Sequence, residues 1–81
     1  DMAATVFDEL KKSIARVARV QEQSITPDTP LKDIKADSLH WVQIIVSMET
    51  AYDIEVDIDK DKMADLKTVG EFAAYIEKFI K

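Results

Sequence analysis

The sequence predicts a small all-α bundle, with three main helices and one short one. Three observations carry that prediction. Apolar residues recur at gaps of three and four in three separate stretches, the spacing that lines one face of a helix. One segment alone, Asp53 to Val56, alternates like a strand, and it has no second strand to pair with, so it reads as a loop. The length of 81 residues suits one small domain, 1–81, with Asp1 ahead of Met2 reading as an added residue.

The first stripe is Val6, Phe7, Leu10, Ile14, Val17 and Val20, a helix over about residues 3–21. Thr5 is its expected cap, with Asp8 and Glu9 in the first turn and Lys11, Lys12, Arg16 and Arg19 following. From Glu22 to Ala36 the period is lost, and Pro27 and Pro30 interrupt any regular element. Ile25, Leu31 and Ile34 should anchor this long loop to the core.

The second helix begins at Asp37-Ser38 and runs to about Tyr52. Trp41, Ile44, Ile45, Met48 and Tyr52 make one stripe, and Leu39, Val42 and Val46 a second beside it. A helix apolar on so much of its surface is either central or lends its second stripe to something other than its own core. Charges crowd Asp57 to Asp65, with Ile58 and Met63 as apolar contacts for a helical turn or two. Thr68-Val69-Gly70-Glu71 fits a capping box. Val69, Phe72, Ala73, Ile76, Phe79 and Ile80 then give the last helix.

Composition excludes several chemistries. With no cysteine there is no disulfide framework, thiolate nucleophile or Cys-ligated zinc. A lone His40 excludes His-pair metal sites and leaves a small hydrolase with almost nothing to build from, while a single Gly70 cannot make a phosphate loop. Net charge is −5, and all of it falls after residue 36: ten acids and five bases follow, against six of each before. That acidity argues against nucleic acid and for basic protein surfaces, or serves solubility alone. No apolar run approaches a membrane span and no signal-peptide pattern opens the chain, so the expectation is a cytoplasmic monomer.

Function should sit at Asp37-Ser38-Leu39. A serine at the first position of a helix stands beside unpaired N–H groups and the positive end of the dipole, which suits a phosphate ester. Asp37 can hold the helix start and, through a metal or a basic residue, help an incoming enzyme orient its phosphate donor. Asp and Ser are also ordinary capping residues.

Ala36-Asp37-Ser38-Leu39 at the start of the second of four helices resembles the attachment motif of acyl carrier proteins. The likeness extends through Thr26-Pro27-Asp28-Thr29-Pro30-Leu31, the acidic stretch of Glu49, Asp53, Glu55 and Asp57, and the Thr68-Val69 helix start. It implies a four-helix bundle of acyl-carrier type that is not itself an enzyme. Ser38 would carry 4′-phosphopantetheine from coenzyme A, whose thiol holds acyl groups as thioesters in a fatty-acid-type or polyketide-type pathway. The implied partners are a phosphopantetheinyl transferase and acyl-loading, condensing, reducing, dehydrating or acyl-transfer enzymes with basic docking surfaces. Asp37, Leu39, His40, Trp41, Val42, Gln43, Glu49 and Glu55 are the candidate recognition residues. Leu39, Val42, Val46, Ala64 and Leu66 are candidates to line an acyl cavity, or are plain core.

The chain departs from the usual pattern at Lys35 (glycine is common), His40 (an acid), Trp41 (a small residue) and Gln43 (a glutamate). The segment from Val56 to Val69 is also slightly long. These departures imply a specialised member with its own partners. Trp41 reads as a core anchor, or an interaction hot spot if exposed. His40 reads as a solvated residue, or as a contact to the arm or a dedicated partner. Two other readings stand beside the acyl carrier: a peptidyl or D-alanyl type carrier for amino acids or other acids, and an unmodified acidic helical module that binds a basic protein.

Overall fold

The computed structural model describes residues 2–81, so Asp1 lies outside the described residues. Its order is α1 (Met2–Ala18), α2 (Ser38–Tyr52), α3 (Lys60–Asp65) and α4 (Val69–Glu77), with 3₁₀ turns at Glu22–Ser24 and Leu31–Asp33 in the long loop. No strand occurs among the described residues; one isolated antiparallel bridge joins Pro30 to Thr68.

The predicted stripes, apart from the second one on α2, form the core. Val6, Leu10 and Ile14 of α1, Ile44 and Met48 of α2, and Val69, Phe72, Ala73 and Ile76 of α4 are all buried. α1 packs against both α2 and α4. Ile25, Leu31 and Ile34 are buried too, so the long loop is part of the core, as its apolar anchors require.

Both ends of α1 differ from the sequence reading. The helix starts at Met2, which puts Thr5 inside it rather than at its cap, and Asp8 and Glu9 beyond the first turn. It stops at Ala18 because Arg19 turns into the left-handed region at φ 60°, and Val20 N–H donates back to Ala15 O at 3.2 Å. α2 ends the same way: Asp53 takes φ 53° and Ile54 N–H donates to Glu49 O at 3.1 Å. Such a six-residue closure satisfies carbonyls that the helix end leaves free. α4 ends at Glu77, but three tight-turn bonds carry the chain on so that Phe79 and Ile80 still pack against the core.

Residues 27–31 are sewn to the start of α4. Gly70 N–H donates to Pro27 O at 2.8 Å, Val69 N–H to Thr29 O at 3.0 Å, and Leu31 N–H to Lys67 O at 2.9 Å. A Cβ on Gly70 would lie 2.9 Å from Pro27 O. The chain's single glycine is therefore placed by close backbone approach, not by a turn. Thr68 Oγ1 caps α4 by accepting Glu71 N–H at 3.1 Å. Glu71 reaches back one residue further than in the usual box, its carboxylate accepting Lys67 N–H at 2.8 Å.

Candidate functional site

The long loop delivers Asp37 in extended conformation to the start of α2, where it is the cap and Ser38 the first helical residue. Asp37 Oδ1 accepts the N–H of His40 at 3.0 Å, and His40 Nδ1 accepts the N–H of Asp37 at 3.1 Å. Two of the free donors at the helix start are thus satisfied reciprocally, with an imidazole where glutamate or glutamine is customary. A neutral histidine that accepts at Nδ1 carries its proton on Nε2. The His40 N–H bond is the first cause that holds the Asp37 carboxyl below the usual carboxylate range; partial desolvation opposes it, and the nearby imidazole assists. The carboxylate itself is exposed, as is the Ser38 side chain.

Ser38 stands on the wall of an apolar groove of about 640 Å³. Leu31, Ile34 and Ala36 form the loop side, Trp41, Val42 and Ile45 the α2 side, and Ile58, Met63, Ala64 and Leu66 the opposite side, around α3. Lys32, Asp59 and Lys60 complete the lining. α3 is held there by Asp59, whose side chain caps it by accepting Lys62 N–H at 2.8 Å. Trp41 is half-buried, meets the Phe72 ring edge-on with centroids 6.0 Å apart, and also lines the groove. It is at once a core contact and a wall residue.

Of the proposed cavity residues, Val42, Ala64 and Leu66 lie on this wall. Leu39 and Val46 do not, and with Val42 they are the large apolar side chains most open to solvent, at 63% and 51% exposure. Their spacing puts them on the outer face of α2, turned from the core. Among the recognition candidates, Gln43 and Glu55 are exposed. Glu49 is half-buried, and its Oε2 accepts the N–H of Val56 at 2.8 Å, which ties α2 to the loop that follows. Its first described role is structural. Sequence reasoning missed Ile34, Ala36, Ile45, Ile58 and Met63 as groove residues. The clue was present in Ile58 and Met63, the two large apolar residues in an otherwise mostly charged stretch.

Among the described residues no helix is long and apolar enough to cross a membrane. The phosphopantetheine attachment site family matches residues 8–76. The chain is 33% identical to an acyl carrier protein of Streptococcus pneumoniae serotype 4 over 76 residues, 94% of this chain and 97% of that protein. It is 33% identical to one of Lactococcus lactis subsp. cremoris over 72 residues, 89% and 93% of the two chains. Against one of Streptococcus pyogenes serotype M1 the identity is 32% over 73 residues, 90% and 93%. The chain belongs to the acyl carrier protein family: it is a carrier rather than an enzyme, and its prosthetic group is covalent 4′-phosphopantetheine.

Proposed function

We propose that Ser38 is the residue that bears the arm, and that the chain presents acyl thioesters to the enzymes of a fatty-acid-type or polyketide-type pathway. The observation that carries this is the place of Ser38: an exposed primary hydroxyl at the first position of α2, on the wall of an apolar groove. The fit is chemical as well as spatial. N–H groups at a helix start favour a phosphodiester there, and the groove beside it is lined by Ile34, Trp41, Ile45, Met63 and Leu66, which suits hydrocarbon. Transfer from coenzyme A forms the bond from Ser38 Oγ to phosphorus and breaks the pyrophosphate bond. It releases adenosine 3′,5′-bisphosphate, and the serine proton passes to a base of the transferase. The arm, once bound, supplies the thiol that this cysteine-free chain lacks.

The reading includes one carrier domain over residues 1–81, acting as a cytoplasmic monomer. Its partners are a phosphopantetheinyl transferase and acyl-handling enzymes with basic docking surfaces. The acidity they would meet is concentrated from Asp53 to Asp65, whereas the outer face of α2 offers Leu39, Val42, Gln43 and Val46. This distribution favours partners that combine an apolar contact on α2 with cations beyond its C-terminal end.

Incubation with coenzyme A and a broad-specificity phosphopantetheinyl transferase, read by intact mass, tests the attachment. The expected result is a gain of one arm on the native chain and none on Ser38→Ala. An equal gain on both would sink it.

A further inference from the structure

His40 Nδ1 lies 3.1 Å from the N–H nitrogen of Asp37 and 3.2 Å from Asp37 Oδ1. The two contacts are alternatives. An unprotonated Nδ1 accepts the N–H; a protonated Nδ1 can only donate, and the carboxylate oxygen is its acceptor. In the neutral form, Asp37 keeps its N–H partner and its carboxylate remains an anion held by backbone N–H groups of the first turn, that of His40 foremost. In the charged form the Asp37 N–H loses its acceptor, the carboxylate is drawn into an ion pair, and a cation stands at the positive end of the α2 dipole. Ser38 lies between the two residues. Asp37 is the ionisable group in contact with the ring; the cation that α1 brings against α2, Arg16, reaches Ser47 at 3.1 Å, two turns further along.

We propose that His40 is a positioning residue for transfer of the arm to Ser38: its neutral imidazole fixes the first turn of α2 and leaves the Asp37 carboxylate open to the transferase, and its protonated form withdraws that carboxylate. The proposal rests on the reading of Ser38 as the attachment residue. It also gives His40 a use that glutamate or glutamine at the same place would not reproduce. Those side chains accept the Asp37 N–H equally well, but they do not change charge between about pH 5 and 8, where imidazoles do.

The test compares the kcat/KM of transfer onto the full apo chain for native, His40→Gln and His40→Ala proteins, with one transferase, across that pH range. The ratio of each variant to the native chain cancels the transferase's own titration. Toward the acid end, the ratio for His40→Gln rises about 5-fold, the effect of losing one cap bond. At the alkaline end His40→Ala is slower than His40→Gln by a similar factor. A His40→Gln ratio that stays flat across pH overturns the proposal, as does equal transfer to the Ala and Gln variants. Independently of any variant's folding, the ¹⁵N spectrum of the native imidazole at about pH 8 should show Nε2 protonated and Nδ1 bare; the opposite tautomer also overturns it. If Ser38→Ala gains the arm in the same assay, it is the attachment reading that has failed. Modification confined to Ser38 with a flat ratio removes His40 alone.

Discussion

Arg19 and Gly70 show how much a single backbone position decides. Arg19 closes α1 in the left-handed region, where a side chain costs about 1–2 kcal/mol. Glycine adopts that conformation freely but loses more entropy on folding. Arg19→Gly should therefore stabilise the chain by about 0.5–1 kcal/mol in urea denaturation, with an unchanged slope. Gly70 runs the other way. Helix propensity alone would make Gly70→Ala stabilising by about 1 kcal/mol. The added Cβ would lie 2.9 Å from Pro27 O and 3.1 Å from Pro27 Cβ, and the chain there is held by the three bonds that join 27–31 to α4. Overpacking of about 1–3 kcal/mol wins, so thermal unfolding should occur several degrees lower in Gly70→Ala. These two positions also explain what the sequence hid. Helix ends are usually announced by glycine, and neither α1 nor α2 has one, so the end of α1 is overestimated by three residues while the apolar stripes themselves are read correctly.

At the scale of the element, α2 is fastened at both ends by side chains that also look like recognition residues. Asp37 and His40 close its start, and Glu49 near its end accepts the Val56 N–H that would otherwise be unpaired in a partly buried loop. Glu49→Ala should cost about 1–2 kcal/mol, whereas Glu55→Ala, fully on the surface, should stay within about 0.5 kcal/mol of the native value. Parallel chemical denaturation of the two variants checks this contrast. The Asp37-Ser38 helix start was legible because Asp-Ser is a local capping pattern. The Asp37–His40 pair was legible in principle, since aspartate followed three residues later by an acceptor is the spacing of a capping box, with histidine standing in for glutamate. The groove was legible only in part, at Val42, Ala64 and Leu66. Its wall joins two stretches distant in sequence, 31–45 and 58–66, and periodicity along one helix cannot say whether Val42 faces a groove while Leu39 and Val46 face water.

Over the whole molecule, the dominant imbalance is electrostatic. Asp53, Glu55, Asp57, Asp59, Asp61 and Asp65 are all exposed within one short stretch, with Lys60 and Lys62 as its bases. Lys62 Nζ is further engaged over the Tyr75 ring, 5.6 Å from its centroid. Repulsion among these acids acts against the compact state and is screened within about 10 Å at 0.1 M salt. Raising ionic strength from a few millimolar to physiological levels should lift the melting temperature by about 4 °C or more, equivalent to ~1 kcal/mol for a domain of this size. A melting temperature indifferent to salt would show that the acids are too well solvated to matter. The groove has a different consequence at this scale. The chain has one tryptophan, and Trp41 sits in the groove wall. Its emission therefore comes from one place only, so the protein carries an intrinsic optical probe. Spectral shift and quenching along a series of cargoes would report whether a chain enters the groove, with no label attached.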